Sequence, residues 1–289
     1  MSVTRILCPT DFSPGAQQAV RMAVRIATRT GAELVIAHVI HVPPIAFANP
    51  QLALSSMVQE ATENAQRDLD AAAAEASAQL AKPATATMRQ GVPWAELASL
   101  LEEQAFDLCV IGTQGRTGLA RFLLGSVAEQ VVRHAPCSVL VVRPENAMRA
   151  FQHVLVPTDF SASAAYALDL AESLVSPDGR LTLLHMLEVA GPYPGEIPDS
   201  DVADLDKRAG PALRELAASK PNARIATVCR VGWPGVQILA ALDEDPSIDL
   251  VAMGSHGRTG IKRALIGSVA EKTVRYAHCP VLVARPSPR

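Results

Sequence analysis

No stretch of the 289 residues is long and apolar enough to cross a bilayer, so no membrane span is expected. An excess of charge is missing too. A formal net charge of −3 gives no electrostatic argument for nucleic acid or an anionic membrane surface as partner. The opening residues MSVTRILCPTDF lack a charged start, an apolar middle and a small-residue cleavage site, so no signal peptide is expected. The 5 cysteines are odd in number and never spaced C-x-x-C, which fits a reducing compartment rather than a disulfide framework. Cys8, Cys109, Cys137 and Cys279 fall in apolar runs or at their ends, where a cysteine ordinarily serves as a small buried hydrophobe. A cytoplasmic protein is the expectation.

What is present is one unit written twice. Gly112 to Ser126 reads GTQGRTGLARFLLGS, and Gly254 to Ser268 reads GSHGRTGIKRALIGS. Both have the form Gly, two residues, Gly, nine residues, Gly-Ser. Each follows a short apolar run (Asp107–Ile111, Asp249–Met253) and precedes an amphipathic one (Val127–His134, Val269–Tyr276). ILCPTDFS at Ile6–Ser13 matches VLVPTDFS at Val154–Ser161, and CSVLVVRP at Cys137–Pro144 matches CPVLVARP at Cys279–Pro286. With hydrophobic residues at 49%, the chain has material for two cores. Two domains, 1–146 and 151–289, are expected, joined by a short linker near Glu145–Ala150.

Within a copy, strand and helix alternate. Arg5–Cys8 reads as a strand, and Ser13 as the N-cap of a helix with Pro14 at its first position. Ala19, Val20, Ala23, Ile26 and Ala27 give that helix an apolar face, and Gly31 ends it. Further strands are expected at Glu33–Val39, Thr85–Arg89, Asp107–Ile111 and Ser138–Val142, and further helices at Ser56–Leu80 and Trp94–Gln104. The second copy repeats the order, with strands at His153–Val156, Arg180–Met186 and Arg224–Arg230 and helices at Ser161–Val175 and Asp201–Ser219. This alternation specifies an α/β fold: two doubly wound domains, each a five-stranded parallel sheet with helices on both faces. Ligands of such sheets bind at the carboxyl ends of the strands, where the winding reverses.

A strand, a glycine-rich loop and a new helix in that order make a phosphate cradle in outline. The helix start offers unpaired amides and a partial positive charge. Gly112, Gly115, Gly125 and Ser126 are the candidates, with Gly254, Gly257, Gly267 and Ser268 in the twin. Ser126 and Ser268 could equally cap their helices. Arg116 and Arg258 could reach a terminal phosphate or remain solvated. Asp11 and Asp159 follow the first strand of each copy, where a carboxylate can accept from ribose hydroxyls or an adenine amine. A turn aspartate is the ordinary alternative, but recurrence inside an identical PTDFS string favours a ligand role. His256 has no partner at metal spacing and reads as a surface residue. His38 and His185 end the second strands at matching positions and read as packing residues near the pocket. No metal site and no catalytic residue is expected.

The PTDFS string, the Gly-x2-Gly-x9-Gly-Ser loop and the terminal strand resemble the universal stress protein family, and two copies resemble its tandem members. The resemblance implies a flavodoxin-like, Rossmann-like domain of strand order 3-2-1-4-5. It also implies ATP binding in members that keep this loop. Carried over by position, Pro9, Thr10, Asp11 and Val39 would meet adenine and ribose. Gly112, Thr113, Gly115, Arg116, Gly125, Ser126 and Val127 would meet the phosphates. The matching set is Pro157, Thr158, Asp159, Met186, Gly254, Ser255, Gly257, Arg258, Gly267, Ser268 and Val269. Such a protein would act in a stress or regulatory response and hold ATP, or AMP or ADP, with or without Mg²⁺. The family also implies dimerisation through the last strand, so Val139–Val142 and Val281–Ala284 would pair in an intramolecular pseudo-dimer, and a homodimer is open to it. Two alternatives are a slow ATP hydrolase and a structural dimerisation module with no nucleotide. Against hydrolysis, the loops lack a G-x4-G-K-[ST] lysine and a base to position water.

Overall fold

A computed structural model describes residues 3–41, 56–113, 124–143, 150–187, 199–221, 223–257 and 266–286, the side chains of 56–58 and 199–206 excepted. The chain divides into two compact units, built mainly from Ser2–Met148 and from Arg149–Arg285. No described helix is long and apolar enough to cross a membrane.

The first unit runs β1 (Arg5–Pro9), α1 (Pro14–Thr30), β2 (Glu33–His41), α2 (Ser56–Ser77), β3 (Thr85–Gly91), α3 (Pro93–Gln104), β4 (Leu108–Gly112), α4 (Ser126–His134) and β5 (Ser138–Val142). Every pairing is parallel, and the strands lie in the order β3-β2-β1-β4-β5. The second unit runs β6 (Phe151–Thr158), α5 (Ala162–Leu174), β7 (Val175–Leu187), α6 (Asp199–Ala218), β8 (Ile225–Val231), α7 (Pro234–Glu244), β9 (Leu250–Gly254), α8 (Ser268–Tyr276) and β10 (Val281–Ala284). Its strands are also parallel, in the order β8-β7-β6-β9-β10. Both units therefore have the order 3-2-1-4-5, and both reverse their winding between the first and fourth strands.

Burial follows position in the sheet. In the first unit Ile6, Leu7, Cys8, Leu108, Cys109, Val110 and the whole of β5 are buried. Parallel strands covered on both faces read as continuous apolar runs for this reason. Each fully buried aliphatic side chain stabilises by roughly 1.5–3 kcal/mol. The thiols of Cys8 and Cys109 are pushed well above their ordinary pKa by burial, which keeps them protonated and unreactive. The outer strands β3 and β8 are only partly covered.

Local signals in the sequence explain the element ends. Ser13 accepts a hydrogen bond from the Ala16 amide at 3.2 Å, Pro14 opens α1, and Gly31 closes it at φ 71°. Met22, not Val20, completes the buried face of α1, since Val20 is half-exposed. At the amino edge of each sheet an aspartate pins the first strand. Asp107 accepts from the amides of Thr4 and Arg5, and Asp249 from those of Gln152 and His153. One expectation fails in extent. Strand β7 does not wait until Arg180 but begins at Val175, directly after α5, and β6 begins at Phe151. The register shifts between Phe151 and His153. Gly179 permits the irregularity: a Cβ there would lie 2.9 Å from the Gln152 carbonyl oxygen.

Candidate functional site

The order of strands decides what comes together. In the first unit Leu7 of β1 lies opposite Cys109 of β4, so both strands deliver their following loops to one end of the sheet. There Pro9, Thr10, Asp11, Val39, Gly112, Thr113, Gly125, Ser126 and Val127 line a single cavity of about 550 Å³. These residues are far apart in the chain; Asp11, Gly112, Gly125 and Ser126 are marked by the repeated motifs, and Pro9, Thr10, Val39, Thr113 and Val127 by the family resemblance. Gly115 and Arg116 of the same expected set lie outside the described residues, as does Arg258 in the second unit.

The glycine loop is closed by its own backbone. Thr113 donates its amide to the Val142 carbonyl, and its carbonyl accepts from the Gly125 amide at 2.8 Å. The twin repeats this, with Ser255 amide to Ala284 carbonyl and Gly267 amide to Ser255 carbonyl at 2.8 Å. Residues 113 and 125 are thereby held side by side, and α4 starts at a fixed place. Gly125 is its N-cap and supplies no side-chain cap, and Gly267 likewise leaves α8 uncapped. Ser126 and Ser268 are the first helical residues, so neither caps its helix. The first-turn amides of each helix have no intrahelical acceptors. The acid in each first turn is neutralised one turn on, Glu129 by Arg133 at 3.4 Å and Glu271 by Arg275 at 3.6 Å. No lysine or arginine is among the described residues lining the cavity. An anion there would be met by amides and the helix dipole.

Gly112 and Gly254 also have a packing reason to be glycine. A Cβ on Gly112 would lie 2.8 Å from the Gly15 carbonyl oxygen, and one on Gly254 2.9 Å from the Ser163 carbonyl carbon. Each lets the fourth strand of its unit approach the start of the first helix. Close packing of protein on protein fixes glycine here.

Both aspartates meet their own glycine loops. Asp11 shares the cavity with Gly112 and Gly125. Asp159 places Oδ2 3.0 Å from where a Cβ on Gly257 would stand. Each also serves its turn: Asp11 Oδ1 accepts from the Ser13 amide and Asp159 Oδ1 from the Ser161 amide, both at 3.0 Å. The turn role and a ligand role thus use the same side chain. Pro157, Thr158, Met186, Gly254, Ser255, Gly267, Ser268 and Val269 occupy the corresponding strand ends and helix start of the second unit.

Among the described residues, Thr113 Oγ1 in the first unit and His256 Nε2 in the second are buried polar atoms with no partner. Thr113 is 2% exposed. A buried polar group left unpaired costs about 1–3 kcal/mol. His256, expected at the surface, is half-buried. Its Nδ1 lies 3.0 Å from Ser255 Oγ, and its carbonyl accepts from Ser163 Oγ. Burial lowers its pKa, and the nearby charge of Arg285 lowers it further.

Motif reasoning missed the far wall of the first cavity, formed by Ala61 and Ala65 of α2 and by Pro93 and Leu97 of α3. The alanines recur one turn apart, but nothing in an alanine-rich helix tells which face will look into a crevice. Among the described residues no cluster of three or more His, Cys, Asp or Glu side chains could hold a metal ion.

A doubly wound unit with a glycine loop at its switch point, present twice and opening a crevice in the first unit, defines a class, and comparison with known proteins specifies it. The model of the universal stress protein family matches residues 2–143 and again 150–285. The chain belongs to the universal stress protein family, with two of its domains in tandem. It is 30% identical over 296 residues to universal stress protein Rv2623 of Mycobacterium tuberculosis, covering 98% of this chain and 96% of that one. With universal stress protein Rv2005c of the same organism it shares 33% identity over 192 residues, and the match spans 62% of that relative's length. A crystal structure of a universal stress protein from Archaeoglobus fulgidus has the same fold, with a TM-score of 0.67, 23% identity and coverage of 99% of both chains.

Proposed function

We propose that the chain is an adenine-nucleotide-binding stress or regulatory protein whose two units each hold ATP. One observation carries this reading. Residues marked by the repeated motifs or by the family resemblance, on β1, β2, β4 and α4, line one cavity of about 550 Å³ in the first unit, beside an uncapped helix start and a buried hydroxyl with no partner among the described residues. The residues fit the ligand in parts. Amides at Ser126 and Val127 would receive the phosphates, and Asp11 the sugar hydroxyls. Val39 would flank the base. The twin residues Asp159, Met186, Ser268 and Val269 would act alike in the second unit. Mg²⁺ keeps most of its waters and binds through substrate phosphates, so a triphosphate would bring the ion with it. Mass spectrometry of small molecules released from the freshly purified, heat-denatured protein tests the reading. Adenine nucleotide at up to two equivalents is the expected result. Protein that carries none, and takes up none when ATP is added, would refute it.

A further inference from the structure

Both units carry the same assembly around their aspartate, with His38 itself lining the first cavity, and a ligand role for Asp11 and Asp159 does not by itself explain it. Phe12 and Phe160 follow these aspartates with φ of 65° and 63°. That region is disfavoured for a residue with a side chain, because Cβ crowds the next carbonyl oxygen. Strain of this kind persists only where the surroundings enforce it. The surroundings here are the same twice. The Phe12 amide donates to Thr10 Oγ1 at 3.0 Å, and the Phe160 amide to Thr158 Oγ1 at 3.1 Å. The ring of Phe12 lies 4.6 Å from that of His38, and the ring of Phe160 lies 4.6 Å from that of His185.

The histidine closes each assembly. His38 Nδ1 is 2.7 Å from the Thr10 carbonyl oxygen, and His185 Nδ1 is 2.8 Å from that of Thr158. A carbonyl oxygen only accepts, so Nδ1 carries the proton in both. Each imidazole is 8% exposed and thus held in place. One side chain grips the residue before the aspartate through its backbone and the residue after it through its ring. The aspartate sits between two fixed neighbours.

We propose that His38 and His185 are positioning residues, each fixing the aspartate turn in the shape that presents its carboxylate to the sugar hydroxyls of a bound nucleotide. The inference rests on the nucleotide reading above. The pairing of a strained backbone with the same imidazole clamp in two units of otherwise divergent sequence is what supports it.

The test uses the full-length chain carrying Gly267→Glu, which blocks the second site, titrated with ATP and with 2′,3′-dideoxy-ATP. The dideoxy nucleotide gives Asp11 nothing to hold, so this parent chain should prefer ATP by about tenfold. His38→Leu should abolish the preference by weakening ATP about tenfold while leaving dideoxy-ATP unchanged. His38→Asn sets an amide nitrogen where Nδ1 stood and should keep most of the preference. Phe12→Gly removes the ring and the need for strain, and should lose part of it. Melting of each variant is followed in the same samples. If His38→Leu fails to fold, Phe12→Gly decides the matter. A preference that survives in the folded variant overturns the inference and leaves nucleotide binding intact. Equal weakening of both nucleotides overturns it too, since that marks a general disturbance. A parent chain that binds both nucleotides alike, or neither, overturns the aspartate's role and the inference with it.

Discussion

The two units share a topology, a pinned strand edge, a strained phenylalanine and a closed glycine loop, yet they differ in how the loop is held. In the first unit Gly15 stands at the start of α1, and the Thr113 hydroxyl has no partner among the described residues. In the second, Ser163 takes the place of Gly15 and donates to the His256 carbonyl, while the Ser255 hydroxyl pairs with His256 Nδ1. Among the described residues, the first loop is tied by backbone and the second by backbone and the Ser163 and Ser255 side chains. The amino edges differ as well. Arg5 stacks on Phe106 at 4.9 Å, whereas His153 bonds Ser247 and Thr182 at 3.0 and 2.8 Å. Features common to both units hold the aspartate turn and the start of the loop helix; features that differ change how the ends of each loop are tied.

The largest expected effect breaks the comparison outright. Gly125→Glu puts a carboxylate at the N-cap of α4, where the phosphates would lie, and should reduce ATP stoichiometry by one in a calorimetric titration while leaving the second unit occupied. Two persisting equivalents would show that the cradle is misplaced. Next in size is Asp11→Ala. It should weaken the first site about tenfold while costing stability only the turn hydrogen bond, about 1 kcal/mol. A large fall in melting temperature with unchanged affinity would make the aspartate purely structural.

These two substitutions mark what the sequence made legible. Repetition carried most of it. PTDFS and the glycine loop survive in both copies, so their positions, the parallel order and the crevice follow from pattern and winding rules. What stayed hidden depends on distance across the sheet. No pattern reveals that Gly112 is needed for contact with Gly15, or that the Gly125 amide is consumed by the Thr113 carbonyl. Nor could the strand start at Val175 be read from VSPDG, whose proline and glycine signal a turn, because Gly179 packs against a neighbouring strand instead.

Acid should sharpen the difference between the units. Burial first, then Arg180, lowers the pKa of His153, and burial first, then Arg285, lowers that of His256. A histidine with a folded pKa below its unfolded value favours the folded state while neutral. Its contribution is whole above the ordinary imidazole value and declines as pH falls below it. Both residues are in the second unit, so protection of amides near β6 and β9, taken relative to their intrinsic exchange rate at each pH, should fall as pH drops below about 6.5. Protection that stays level there, or falls only in the first unit, would contradict this. The smallest effect is that of Ser163→Ala, which unties the second loop at a cost of about 1 kcal/mol. It should bring exchange at Ser255 and Gly267 closer to that at Thr113 and Gly125; no change would mean that the backbone tie alone holds the loop.

On the reading proposed above, the uncapped helix start of each unit receives a nucleotide triphosphate. Calorimetric titration of the full-length chain with ATP, beside the Gly125→Glu/Gly267→Glu double variant, addresses it most directly. Two equivalents bound by the parent and none by the folded double variant is the predicted result. Undiminished ATP binding by the double variant would place the ligand elsewhere and contradict the account.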